Sequence, residues 1–148
     1  MPLTFQVPNE YGYVLLVAAS TFFINTTHVL LTSKYRKASG LVYPAPTPPT
    51  SRRPRTPKPT SSTARAHANF TENQPSFLGA LLISGLRFPV ASAVLGAGWA
   101  FSRMIYAFGY TSGAGPKGRT RGSIGSFLFD TVLKFTAVYA SVSIIMNW

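Results

Sequence analysis

The sequence predicts an all-α fold, an integral membrane four-helix bundle, and three observations carry that expectation. Charged residues make up 11% of the chain against 46% hydrophobic, whereas a soluble domain carries about 25% charged. The apolar residues gather into four stretches of membrane-crossing length, at about 11–32, 64–88, 90–110 and 122–146. The basic residues gather between them: Lys34, Arg36, Lys37, Arg52, Arg53, Arg55, Lys58 and Arg65 between the first two, and Lys117, Arg119 and Arg121 between the last two. A net charge of +11 normally raises nucleic acid as a partner. Charges that flank membrane-length segments are explained more economically by the preference of cytoplasmic loops for Lys and Arg. No nucleic-acid partner is expected. The 148 residues fit a single membrane domain.

The first stretch, 11–32, contains no Lys, Arg, Asp or Glu and is long enough to cross a hydrocarbon core about 30 Å thick. The segment before it has no positive n-region, so it reads as a retained span. Asn25, Thr26, Thr27 and His28 interrupt it and are expected to face other helices. Residues 43–63, rich in Pro, Thr and Arg, predict a flexible cytoplasmic loop; a proline-rich docking motif or contact with anionic lipid is the functional alternative. The second stretch, 64–88, has a polar first half and an apolar second half, with Pro75 able to kink it. The third, 90–110, is rich in Gly and Ala, which permits close helix contact. The fourth, 122–146, holds Asp130 and Lys134 four residues apart, on one helix face, where they predict an interior structural tie. Both basic loops are expected to be cytoplasmic, with the termini on the opposite side. The absence of cysteine excludes disulfides and a cysteine nucleophile, and two histidines are too few for a metal site.

Two polar stripes approach the cytoplasmic boundary. Arg65, Asn69 and Glu72 stand at i, i+4 and i+7 on the second stretch; Arg103, Tyr106 and Tyr110 stand at i, i+3 and i+7 on the third. Arginines form bidentate bonds to carboxylates, and Asn, Glu and Tyr can hold amide and ammonium groups. A small zwitterionic peptide suits that inventory. Snorkelling arginines and an interfacial aromatic belt explain the same spacing, and spacing alone leaves both readings open.

The run Arg65-Ala66-His67-x-Asn69-x-x-Glu72 resembles a signature of the MAPEG family (membrane-associated proteins in eicosanoid and glutathione metabolism), and Arg103-x-x-Tyr106-x-x-x-Tyr110 resembles its second signature. EYGYVLLVAAS near the N-terminus and Arg121-Gly122-Ser123-Ile124-Gly125-Ser126 are further points of similarity. Within the family, the microsomal glutathione transferases of the third type are the most similar. The run Thr60-Ser61-Ser62-Thr63-Ala64 departs from that pattern, which usually has an aromatic-Asn-Cys-x-Gln run there. That departure touches the start of the second helix.

The resemblance implies a homotrimer of four-helix subunits, with glutathione as co-substrate bound between neighbouring subunits near the cytoplasmic face. It implies that Arg65, His67, Asn69, Glu72, Arg103, Tyr106, Tyr110 and Arg36 bind glutathione. Arg121, with Arg119 as the fallback, is the residue it implies for stabilising the thiolate. The implied activity is glutathione transfer to lipophilic electrophiles and glutathione-dependent reduction of lipid hydroperoxides, at the endoplasmic reticulum membrane or, alternatively, the mitochondrial outer membrane. Rival expectations are conjugation of epoxide lipids in the manner of leukotriene C synthase, and a non-catalytic protein of the same fold. A small transporter using Asp130 and Lys134 is a third.

Overall fold

The computed structural model describes residues 7–38, 58–111 and 116–146, with side chains at all of these except 58–62, 110, 111 and 116–118. They form four α-helices: α1 (Tyr11–Ala38), α2 (Lys58–Gly85), α3 (Pro89–Thr111) and α4 (Pro116–Ile145). With 23 to 30 residues each, they measure roughly 35–45 Å at about 1.5 Å per residue. All four therefore match or exceed the thickness of a hydrocarbon core. Helices α1 and α4 are also apolar enough along their length to cross a membrane. Helix α2 is the least apolar of the four because its first half is polar.

The helix ends extend past the apolar stretches that predicted them. α1 continues to Ala38, α2 begins at Lys58 and α4 at Pro116, so the last residues of the expected loop, 58–63, are helical. Residues 43–57 of that loop lie outside the described residues. Proline suits the first turn of a helix, where its missing N–H is not needed, and both α3 and α4 open on one. α2 runs on through Pro75.

Helix α3 packs most extensively on α4, and α2 touches all three other helices. α1 and α4 make no contact among the described residues, so they lie on opposite sides of the α2–α3 pair. A tight turn joins that pair, with the Arg87 and Phe88 N–H groups donating to the Ser84 carbonyl. At this end Tyr11 donates to the Leu82 carbonyl at 3.1 Å and Phe88 stacks on Tyr139. The opposite end carries Lys34, Arg36, Lys37, Arg65, Arg119 and Arg121.

The interior centres on Trp99, stacked on Phe77 with ring centroids 3.7 Å apart, and is completed by Phe70, Leu81, Leu133 and Val14. Small polar residues share it: Thr21, Ser84, Ser92 and Ser143 are buried, while Phe22, Phe23, Leu30, Phe101, Phe127 and Phe135 are exposed. Large apolar groups outside and small residues inside is the distribution expected when the solvent is lipid. Of the four polar interruptions in α1, His28 is buried and stacks on Phe70 at 4.9 Å, and Asn25 is half-buried. Thr26 departs from expectation. It is exposed, and its hydroxyl donates to the Phe22 carbonyl one turn back, which satisfies the group without a neighbouring helix.

Candidate functional site

On α2, Asn69 and Asn73 are four apart and share a face. Arg103 on α3 reaches across to it. Its Nη1 donates to Asn69 Oδ1 at 2.8 Å and its Nη2 to the Asn69 carbonyl oxygen at 2.8 Å. The same carbonyl accepts from Asn73 Nδ2 at 2.7 Å. Only the amide oxygen can accept from a guanidinium, so the Arg103 contact fixes which way round the Asn69 amide sits. Arg103 itself is 4% exposed, within 6 Å of the ring centres of Phe70, Trp99 and Tyr106. A charge so placed is held by cation–π attraction as well as by its hydrogen bonds.

The third wall comes from α4. A Cβ added at Gly122 would sit 2.6 Å from the Ser102 carbonyl oxygen and collide with the Tyr106 backbone nitrogen. Backbone therefore meets backbone at this crossing, which only glycine permits. The close approach sets the start of α4 against the end of α3 and brings Arg119 and Ser123 beside Tyr106.

Two adjoining cavities result, both bordered by Asn69 and Ser123. The outer one, about 360 Å³, is also lined by Tyr106, Arg119, Thr120 and Ile124. The inner one, about 140 Å³, is lined by Asn73, Arg103, Ser126 and Asp130 together with Trp99 and Phe127. The pairing expected between Asp130 and Lys134 is present, Lys134 Nζ donating to Asp130 Oδ2 at 2.5 Å.

The fold thus brings Asn69, Tyr106 and Arg119 to one cavity, with Arg103 beneath them. The other residues singled out by sequence stand elsewhere. Arg65 and Glu72 are exposed on α2, and Arg36 is exposed near the end of α1; none lines either cavity. His67 is half-buried towards α1, its ring 6.2 Å from that of His28. Arg121 is exposed and, two residues beyond Arg119, is turned by roughly 200° about the helix axis. The Tyr110 side chain lies outside the described residues. Asn73 and Thr120 were missed by the sequence reading, which held Ser123 and Ser126 only within the run 121–126 and Asp130 only as the partner of Lys134, although Arg119, Ser123, Ser126 and Asp130 follow helical spacing at i, i+4, i+7 and i+11.

A family model described as the MAPEG family matches residues 14–139. The chain belongs to the MAPEG family. The matched span reaches from α1 into α4 and contains every residue that lines the two cavities. MAPEG proteins are membrane bundles that include glutathione transferases and related enzymes, which accords with the outward-facing apolar surface and the polar cavities at the basic end. The match is to the family as a whole and names no member.

Proposed function

We propose that this MAPEG chain is a membrane-bound glutathione transferase with glutathione-dependent peroxidase activity, similar to the third microsomal type and acting as a homotrimer in the endoplasmic reticulum membrane. The observation that carries the proposal is the Arg103-braced Asn69 amide, held beside Tyr106 and Arg119 in a polar cavity at the basic end. Amide, phenol and guanidinium are the groups that a peptide with two carboxylates and one amine requires. The exposed Arg65, Glu72 and Arg36 stand near the same end. They add further charge where a neighbouring subunit would close the site.

The chemistry needs a thiolate. A free thiol has a pKa of about 8.5, so a cation beside the sulfur raises the reactive fraction near neutrality, each unit of lowering requiring about 1.4 kcal/mol. The chain has no cysteine, and the reactive sulfur arrives with glutathione. The thiolate then forms a C–S bond to an electrophilic carbon as that carbon's leaving group departs, or attacks a hydroperoxide oxygen, breaking the O–O bond to release the alcohol and leave a glutathione sulfenic acid, which a second glutathione converts to the disulfide and water. The apolar co-substrate reaches the site from the bilayer. The departure at 60–64 does not remove the base of the site, because α2 extends two turns before Arg65.

Calorimetry of glutathione binding to the detergent-purified protein tests the proposal. The parent should bind, Asn69→Ala should bind at least tenfold more weakly, and binding by the parent should release protons. Arg119→Ala and Arg121→Ala then assign the thiolate partner, since proton release should vanish in one of them. A folded parent that shows no glutathione binding would overturn the enzyme reading and leave a non-catalytic MAPEG protein.

A further inference from the structure

We infer that Asp130 is a positioning residue for the glutathione site, acting as the counter-charge of Arg103 at the inner cavity. The inference rests on the reading of the site given above.

The chain has three acidic residues in all, Glu10, Glu72 and Asp130. Glu10 precedes α1 at the far end of the bundle, and Glu72 is exposed on α2. Asp130 alone lines a cavity with Arg103. A guanidinium 4% exposed inside a membrane bundle is costly without a counter-charge, and its hydrogen bonds to Asn69 end on neutral oxygens.

Two buried atoms point to the connection. Arg103 Nε and Asp130 Oδ1 are both buried without a hydrogen-bond partner, on residues that share the inner cavity. One is a charged donor and the other a charged acceptor. Asp130 Oδ2 is already engaged by Lys134, whose side chain is 47% exposed. The carboxylate is therefore divided between two cations. One oxygen answers the lysine at the surface, and the other, buried oxygen leaves its charge to the buried arginine that shares the inner cavity. Arg103 in turn fixes the Asn69 amide that borders the glutathione cavity, so a change at Asp130 is transmitted to ligand binding although Asp130 is absent from the outer cavity's lining.

The bland alternative is that Asp130 serves only its tie to Lys134. Calorimetry on the full-length protein separates the two, using Asp130→Asn and Lys134→Gln. The inference expects Asp130→Asn to weaken glutathione binding about tenfold and Lys134→Gln to leave it within twofold of the parent. In an Asn69→Ala background, Asp130→Asn should cause no further loss, because it acts through that amide. Equal losses in the two single variants, or additive loss in the double variant, would overturn it. A parent that fails to bind glutathione defeats the functional reading instead, and that outcome is visible before any variant is made. Should Asp130→Asn not fold, a structure of the parent at a resolution that orders water decides the matter. A hydrogen bond from Arg103 Nε to Asp130 Oδ1, direct or through one water, supports the inference, and the absence of any such link refutes it.

Discussion

At the scale of single residues the site is built around one guanidinium that reads two oxygens of one asparagine. Arg103 meets Asn69 Oδ1 and the Asn69 carbonyl, each at 2.8 Å, a fork that a lysine cannot reproduce from a single nitrogen. Arg103→Lys keeps the charge and loses the geometry. A hydrogen bond to a charged group is worth about 1.5–3 kcal/mol, so thermal unfolding of the detergent-solubilised variant should fall by several degrees. Its glutathione affinity should fall about tenfold as the Asn69 amide loses its fixed orientation. Unchanged affinity in a destabilised variant would restrict Arg103 to packing. Helical spacing raised Asn69, Arg103 and Tyr106 as candidates but left interfacial snorkelling and an aromatic belt equally open, and the resemblance of both runs to family signatures selected them. Asp130 was only half legible. Its i, i+4 partner Lys134 accounted for the carboxylate within α4, and nothing in a linear pattern shows that the residue also lines a cavity shared with α2 and α3.

Between elements, the decisive contact is the crossing of α4 over α3 at Gly122. A methyl group there meets main chain, the Ser102 carbonyl and the Tyr106 nitrogen, and main chain cannot swing aside as a flexible side chain can. Gly122→Ala should cost about 1–3 kcal/mol, the usual range for overpacking, and should displace Arg119 from Tyr106. Gly12→Ala is the matched control, because nothing lies within 4 Å of a Cβ at that position and alanine is the better helix former. Thermal unfolding of the two variants side by side should show a clear loss for Gly122→Ala and none for Gly12→Ala. The four apolar stretches coincide with the four helices, and three helix ends run six residues past them: α1 at Ala38, α2 at Lys58 and α4 at Pro116. The reason is physical. An apolar stretch marks the part of a helix that meets lipid, whereas the hydrogen-bonded helix continues into the polar region for as long as the backbone allows. The ends of α3 fell within a residue of expectation because prolines and glycines bracket its apolar stretch closely.

For the whole molecule, the charges divide the bundle into a basic end and an opposite end that carries Glu10 and Arg87. If the basic end is cytoplasmic, Lys37 and Arg87 lie on opposite sides of the membrane, separated by one crossing of α2. That crossing is the one whose composition argues for it least, since α2 devotes its first half to polar residues and only α1 and α4 are apolar enough by themselves. The fold supplies the missing reason. Part of α2's polar set is turned inward, towards α3 and α4, where Asn69 meets Arg103 and lines the cavities, and towards α1, where Gln74 donates to Thr21, while Arg65 and Glu72 stay exposed on the single subunit. A helix can cross lipid with such residues when the bundle covers them. The chain's lack of cysteine permits a direct test, because a single introduced thiol is labelled without background. In sealed microsomes Lys37→Cys should react with a membrane-impermeant maleimide from the cytoplasmic side. Arg87→Cys should react only after the membrane is permeabilised. Labelling of both before permeabilisation would show that α2 does not cross. The reverse order would place the basic end, and the two polar cavities with it, on the lumenal side.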